Sequence, residues 1–130
     1  MLGQYHDCAV VMRRFHIGHQ LINDQFLEAF AQEAALSHKI GSHPRIVDFV
    51  GACVTPPELC MVYRYMPFGD LDTILLKQRR FASSRYEDAR VVLQMATDTA
   101  QGLAFLHAKG VIHRRICCRH LLMNHEMRVR

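Results

Sequence analysis

The order of local signals along the chain predicts an α+β domain. Two short apolar runs rich in β-branched residues flank a double proline at 56–57, which marks paired strands and a turn. Helical periodicity appears once before those runs and then dominates after residue 70, instead of alternating strictly with strands as in a parallel sheet. The composition agrees: 130 residues with 50% hydrophobic and 22% charged side chains can bury a core without a metal or disulfide as staple. The same figures exclude collagen, coiled-coil rods and charge-rich disorder, and neither an internal repeat nor a low-complexity stretch interrupts them.

Each element follows from its residues. Cys8-Ala9-Val10-Val11-Met12 is an apolar run closed by Arg13-Arg14, and reads as a buried strand. Asn23 or Asp24 can cap the helix that follows, whose apolar stripe is Phe26, Leu27, Phe30, Ala34 and Leu36 and which Gly41 stops. Residues 46–54 and 59–65 read as two strands around Thr55-Pro56-Pro57-Glu58, because two prolines cannot continue a hydrogen-bonded ladder. Pro67-Phe68-Gly69-Asp70 breaks the chain, and Asp70 caps a short helix carrying Leu71, Ile74 and Leu75. Ser84-Arg85-Tyr86-Glu87 has the spacing of a capping box and opens a helix over 84–109, with Val92, Met95, Ala96, Thr99, Leu103 and Leu106 on one face. Gly110 ends that helix, and Val111-Ile112 begins a new extended segment.

Charge and cysteine usage narrow the setting. Sixteen Lys and Arg against twelve Asp and Glu give a net charge of +4, spread along the chain apart from small clusters at 13–14, 77–80 and 128–130. A nucleic-acid binder concentrates such charge on one face among aromatic side chains, so solvated faces are the expectation and a nucleic-acid partner is not. The opening MLGQYHDCAV places His6 and Asp7 where a secretory signal needs an apolar stretch, and no apolar run approaches the ~20 residues of a membrane helix. Five cysteines, two of them adjacent at 117–118, then read as reduced thiols in a cytoplasmic, intracellular protein with no membrane partner.

Several stretches carry a resemblance. HAKGVIHRRICCRHLLM is similar to the catalytic loop of protein kinases, H-R-D-L-x-x-x-N, together with the helix before it. VVMRR resembles the strand motif V-A-I-K, and Glu33 falls where the family places the Glu of its helix C. SHPRIVDFVGACVTPPELCMVYRYMPFGDL resembles the stretch from that helix to the hinge in tyrosine-kinase-like kinases. Each motif alone is weak; their order and spacing across nearly the whole chain make the signal. The resemblance implies a partial protein-kinase-like α+β fold: residues 1–65 as small-lobe strands and helix C, and 66–130 as hinge, first large-lobe helices and catalytic loop. It begins at Gly3-Gln4-Tyr5 and runs to Arg130, so it implies neither the Gly-rich loop nor the Asp-Phe-Gly segment.

What the resemblance implies for chemistry is mixed. The family transfers phosphate from ATP, with Mg²⁺, to Ser/Thr or Tyr hydroxyls, and its strand Lys holds the phosphates while pairing with the helix-C Glu. Arg13 takes the Lys position, and an Arg13–Glu33 ion pair is expected, although a Glu on a helix edge is equally a solvated one. Arg115 stands at the position of the general base, where an always-protonated guanidinium cannot accept a proton. His120 stands at the Mg²⁺-ligand position, where oxygen donors are preferred, and Cys117 replaces a Lys common in Ser/Thr kinases. His113 and Arg114 are kept and read as structural. Val11 and Leu122 would roof and floor an adenine slot, Tyr63 would be its gatekeeper, and the Tyr65–Met66 backbone would supply hinge hydrogen bonds; ordinary core packing explains the same residues. Ser37, one turn after Glu33, replaces an apolar residue that links helix C to the large lobe.

The expectation is therefore a pseudokinase-like chain with weak ATP contact and no phosphotransfer. The alternatives are an interaction module whose protein partner covers the apolar face of helix 84–109, or part of a longer kinase. A zinc cluster of His113, Cys117, Cys118 and His120 suits the metal's preference for thiolate and imidazole, but adjacent cysteines without a C-x-x-C partner fit structural-site spacing poorly.

Overall fold

The computed structural model describes residues 1–15, 23–80 and 89–130, and of 77–80 the backbone. Its first strands form a hairpin, β1 (Leu2–Tyr5) and β2 (Cys8–Arg14), around His6 and Asp7, whose φ of 43° and 63° give the mirror-image turn that right-twisted hairpins favour. Helix α1 (Asp24–Ile40) is capped by Asn23, whose Oδ1 accepts the Phe26 N–H at 2.8 Å, and ends where Gly41 takes a φ of 75°. Strands β3 (Phe49–Cys53) and β4 (Cys60–Arg64) follow, joined by a turn in which Glu58 N–H donates to the Thr55 carbonyl. The four strands make an antiparallel sheet in the order β1-β2-β4-β3.

Strand alternation decides what faces the helix. Leu59 and Met61 turn to α1 and join Phe30 and Ala34 in a closed core, with Phe26, Leu27, Phe49 and Tyr63 packed around it. Register places Val11 beside Tyr63 and Arg13 beside Met61 on that inner face, while Arg14, Cys60 and Cys53 form one row on the other. Leu36, assigned to the apolar stripe by periodicity, is 43% exposed.

The chain divides into two units, Met1–Ser42 with Asp48–Tyr65, and His43–Val47 with Met66–Arg130. The expected strand from residue 46 therefore starts only at Phe49: the preceding segment turns, with Ile46 N–H on the His43 carbonyl, and His43–Val47 packs in the second unit. There β5 (Gly69–Asp70) leads into α2 (Leu71–Arg80), whose first turn is capped by Asp70 through the Thr73 N–H at 2.8 Å and the Thr73 hydroxyl at 2.9 Å. Helix α3 (Ala89–Ala108) ends in a Schellman arrangement, with Val111 N–H on the Leu106 carbonyl, Gly110 N–H on that of His107, and Gly110 at a φ of 72°. The capping box at Ser84 and Glu87 lies outside the described residues, as do the side chains of the basic cluster at 77–80.

Val111-Ile112 is irregular rather than a strand; the extended pairing comes later, where β6 (Leu122–Met123) joins β5. Leu71, Met95, Met123 and Val129 are the buried centre of this unit. The buried positions of α3 are Met95, Asp98, Gly102 and Leu106, a face rotated from the apolar stripe that periodicity picks out, and Val92 of that stripe is 52% exposed. Among the described residues no helix is long and apolar enough to cross a membrane.

Candidate functional site

The segment after α3 carries the densest chemistry. Gly110 frees the chain from the helix, and Arg114, with a φ of 64°, bends it so that His113 and His120 face each other with ring centroids 6.0 Å apart. The two imidazoles grip the backbone of Arg115 from both sides. Its N–H donates to His113 Nδ1 at 3.3 Å, and its carbonyl accepts from His120 Nδ1 at 2.5 Å. A backbone N–H can only donate and a carbonyl can only accept, so the tautomers are fixed: His113 keeps Nδ1 unprotonated and His120 keeps it protonated. Burial, with the His120 charge adding to it, holds His113 below the ordinary histidine range, which suits an acceptor Nδ1.

Cys117 Sγ lies 3.6 Å from the same His120 Nδ1, and the short 3₁₀ turn Cys118–His120 closes with His120 N–H on the Cys117 carbonyl at 2.9 Å. Arg119 reaches Asp72 at 3.5 Å, an exposed pair of small energetic weight. Between Asp98 and Glu126 the sequence has no carboxylate, while Lys109, Arg114, Arg115 and Arg119 are all cationic. The loop can therefore attract anions but has no carboxylate to take a proton. Its donor set does not fit Mg²⁺ either: the hard cation wants oxygens, and here the ligand position is an imidazole already donating through Nδ1 to a backbone carbonyl. Among the described residues no group of three His, Cys, Asp or Glu side chains is placed to hold a metal ion.

Behind the loop lies a cavity of about 170 Å³ bounded by His113, His120, Ile116, Leu103, Leu106 and the Arg45–Val47 segment. Its floor is anchored by an ion network that sequence reasoning misses. Asp98, 1% exposed, accepts from Arg128 Nε at 2.8 Å and Nη2 at 2.6 Å, from the Val129 N–H at 3.1 Å and from Gln94 at 3.0 Å, with Arg45 Nε 3.0 Å away. Burial raises this carboxyl, but the hydrogen bonds from Arg128, Val129 and Gln94 and the Arg45 charge outweigh it and hold the group below the ordinary aspartate value. The available signal was an isolated Asp within an otherwise apolar helical segment, which is normally assigned to solvent.

In the first unit, Arg13 and Glu33 both act on Tyr63. Burial raises the Tyr63 phenol; the Ser37 hydroxyl lowers it, Glu33 raises it and Arg13 lowers it. Among the described ion pairs none joins Arg13 to Glu33. The Arg13 guanidinium instead lies over the Phe15 ring, 4.7 Å from its centroid, which corrects the expected pairing: planar, weakly hydrated guanidinium stacks on an aromatic face where an ammonium would seek a carboxylate. The Tyr63 hydroxyl donates to Met61 Sδ at 3.2 Å. Tyr65 N–H is engaged by the Ala9 carbonyl in the first unit, and the Met66 carbonyl by Gly69 N–H in the second. Val11 is half-buried on the inner sheet face, and Leu122, in the second unit, is half-buried and bonded both ways to the Arg130 backbone.

An antiparallel sheet backed by one helix in one unit, and a helix that runs into a His-Arg loop and a short strand pair in the other, are the parts of a protein-kinase fold. A family model described as protein tyrosine and serine/threonine kinase matches residues 3–130. The serine/threonine/tyrosine-protein kinase HT1 of Arabidopsis thaliana is 39% identical over 103 residues, covering 79% of this chain and 25% of that protein. A probable serine/threonine-protein kinase of Dictyostelium discoideum is 33% identical over 129 residues, 98% of this chain and 13% of its own length, and mouse tyrosine-protein kinase ABL2 is 35% identical over 105 residues, 79% and 8%. The chain belongs to the protein tyrosine and serine/threonine kinase family. It spans a quarter or less of the length of these relatives.

Proposed function

We propose that this chain is a kinase-type domain that keeps the family's fold without its phosphotransfer, with residues 1–65 acting as the small lobe and 66–130 as the hinge, first helices and catalytic loop of the large one. The observation that carries this reading is the absence of any carboxylate between Asp98 and Glu126. General-base catalysis needs a group that can accept the substrate hydroxyl's proton near neutral pH, and Arg115 cannot. The two imidazoles do not replace it. With Nδ1 accepting from the Arg115 N–H, His113 carries its proton on Nε2, and His120, whose Nε2 keeps the lone pair, stands at the family's metal-ligand position and not at that of the base.

ATP is the nucleotide the family uses, with Mg²⁺ neutralising its phosphates. In this reading the metal site is lost with His120, and nucleotide contact is weak and independent of Mg²⁺. Arg13 supplies positive charge but is drawn toward Phe15. The test is phosphotransfer from radiolabelled ATP with Mg²⁺ or Mn²⁺, on the longest natural form of the protein. No incorporation is expected; incorporation that disappears in an Arg13→Ala variant would overturn the reading.

A second reading has its own observation. Leu71, Leu75, Val92, Met95, Leu103 and Leu121 line an apolar groove of about 500 Å³, and Leu75, Val92 and the neighbouring Leu93 are exposed. An apolar surface of this kind favours association, and a protein partner seated along α3 would make the chain an interaction module. Sedimentation at rising concentration checks it: a monomer throughout, with no protection of α3 from hydrogen exchange by added cell protein, counts against it.

A further inference from the structure

Cys53 and Cys60 stand directly opposite each other at the turn end of the β3–β4 hairpin. Opposed residues of an antiparallel pair send their side chains to the same face, with Cα atoms about 4.5 to 5.5 Å apart, and disulfide closure accepts about 4.4 to 6.8 Å. Both cysteines are free thiols. Their face is the one away from α1, because the flanking Leu59 and Met61 are committed to the helix-side core.

The pair is asymmetric in a way that sets an order of reaction. Cys53 is half-exposed, with its thiol turned toward the Thr55 carbonyl at 3.9 Å, whereas Cys60 is 8% exposed. A small oxidant reaches Cys53 first, and Cys60 is its nearest thiol. Arg14, opposite Cys60 on β2, adds a cation to the same row, which suits an anionic oxidant. The half-exposed Cys53 sulfur also leaves the bond open to exchange with a small thiol. Leu59 gives its carbonyl to Phe15 on the β2 side, so the backbone groups of Cys60 point to β3 and the cysteines form the wider, hydrogen-bonded type of pair. That pair type holds its Cα atoms about 5.5 Å apart, within the span a disulfide bridges.

We infer that Cys53 and Cys60 are a covalent modification site, closing to a reversible cross-strand disulfide on reaction with a small-molecule disulfide of the glutathione type. The Cys53 thiolate attacks one sulfur of the oxidised disulfide, forming a mixed disulfide and releasing one thiolate. Cys60, its proton lost to water, then attacks the Cys53 sulfur and expels the second thiolate. Two protein thiols are oxidised, and one small disulfide is reduced to two thiols.

The test uses the intact chain incubated across a series of oxidised-to-reduced glutathione ratios, quenched by alkylation and digested after glutamate without reduction. Cleavage after Glu58 separates the two cysteines, so a bridge holds the resulting peptides together. The expected result is a Cys53–Cys60 link that is the dominant internal bridge under oxidised glutathione and opens as reduced glutathione prevails. A Cys60→Ala variant accumulates the glutathione adduct on Cys53, and a Cys53→Ser variant leaves Cys60 unmodified, each with an unchanged circular dichroism spectrum. Wild-type protein that stops at the Cys53 adduct, or that links Cys60 as readily to Cys8, Cys117 or Cys118, overturns the inference.

Discussion

Arg128 clasps Asp98 with both arms of its guanidinium, Nε to Oδ2 at 2.8 Å and Nη2 to Oδ1 at 2.6 Å, across thirty residues of sequence. The carboxylate is 1% exposed, and the Val129 N–H and Gln94 complete its shell. This pair ties the 122–130 hairpin to α3, while Arg45 brings the 43–47 segment to the same anion. The buried member is the carboxylate; Arg128 is about a third exposed. Asp98→Ala leaves the buried Val129 N–H without its acceptor and is expected to destabilise the second unit by about 1 to 3 kcal/mol, read from urea unfolding followed by circular dichroism.

The same group sets an acid limit. Its folded pKa is depressed, so the folded state holds fewer protons than the unfolded state as the pH falls through the ordinary aspartate value, about 3.9. The stabilisation is complete above that value and is lost as pH drops through the lower folded pKa. Unfolding midpoints measured from pH 6 down to roughly pH 2 should fall steeply for the wild type. Asp98→Asn, less stable near neutral pH, should show a shallower slope; an equal slope would remove Asp98 as the cause.

Gly102 lies on α3 where a Cβ would come 2.7 Å from the Arg45 carbonyl oxygen and 3.3 Å from Ile46 Cδ1. Alanine gains about 1 kcal/mol of helix propensity over glycine. Overpacking against backbone costs about 1 to 3 kcal/mol. Gly102→Ala is accordingly expected to lower stability despite the better helix former, with faster hydrogen exchange at Ile46; a stabilised variant would show that the 43–47 segment yields freely.

The helix caps give smaller and separate effects. Asn23→Ala removes the acceptor for the Phe26 N–H in the first unit, and Asp70→Ala the acceptor for Thr73 in the second. Each should cost about 1 kcal/mol. Because the caps sit in different units and share no partner, the double variant should show the sum of the two single effects in denaturant unfolding.

His113 offers a titration readout. Burial, aided by His120, lowers its pKa, so its C–H resonance should shift with a midpoint below the usual histidine value of about 6.5. His120→Gln removes the neighbouring charge and should move that midpoint upward. The folded state disfavours the proton, so any linked stability is present above the unfolded value and declines as pH falls through the folded one.

Local chemistry was legible where it was decided locally. Asn23, Gly41, Asp70 and Gly110 each mark a helix end because capping needs only a side-chain acceptor or a left-handed residue within a turn. The double proline likewise forced the β3–β4 turn, and the motif order was enough for the family. The loop's lack of a carboxylate is also a property of the sequence alone.

Tertiary structure decided everything that depends on which distant residue arrives. Arg13 lies over its near neighbour Phe15, and Glu33, twenty residues on, does not arrive to pair with it, which spacing does not rank. Apolar periodicity finds Met95 and Leu106 on the core face of α3 but cannot see that Asp98 joins them, met by Arg128 and Arg45: a buried charge is paid for only by partners folded in from elsewhere. The opposition of Cys53 and Cys60 is likewise a matter of register, which the turn and the bulge between Phe49 and Gly51 set together.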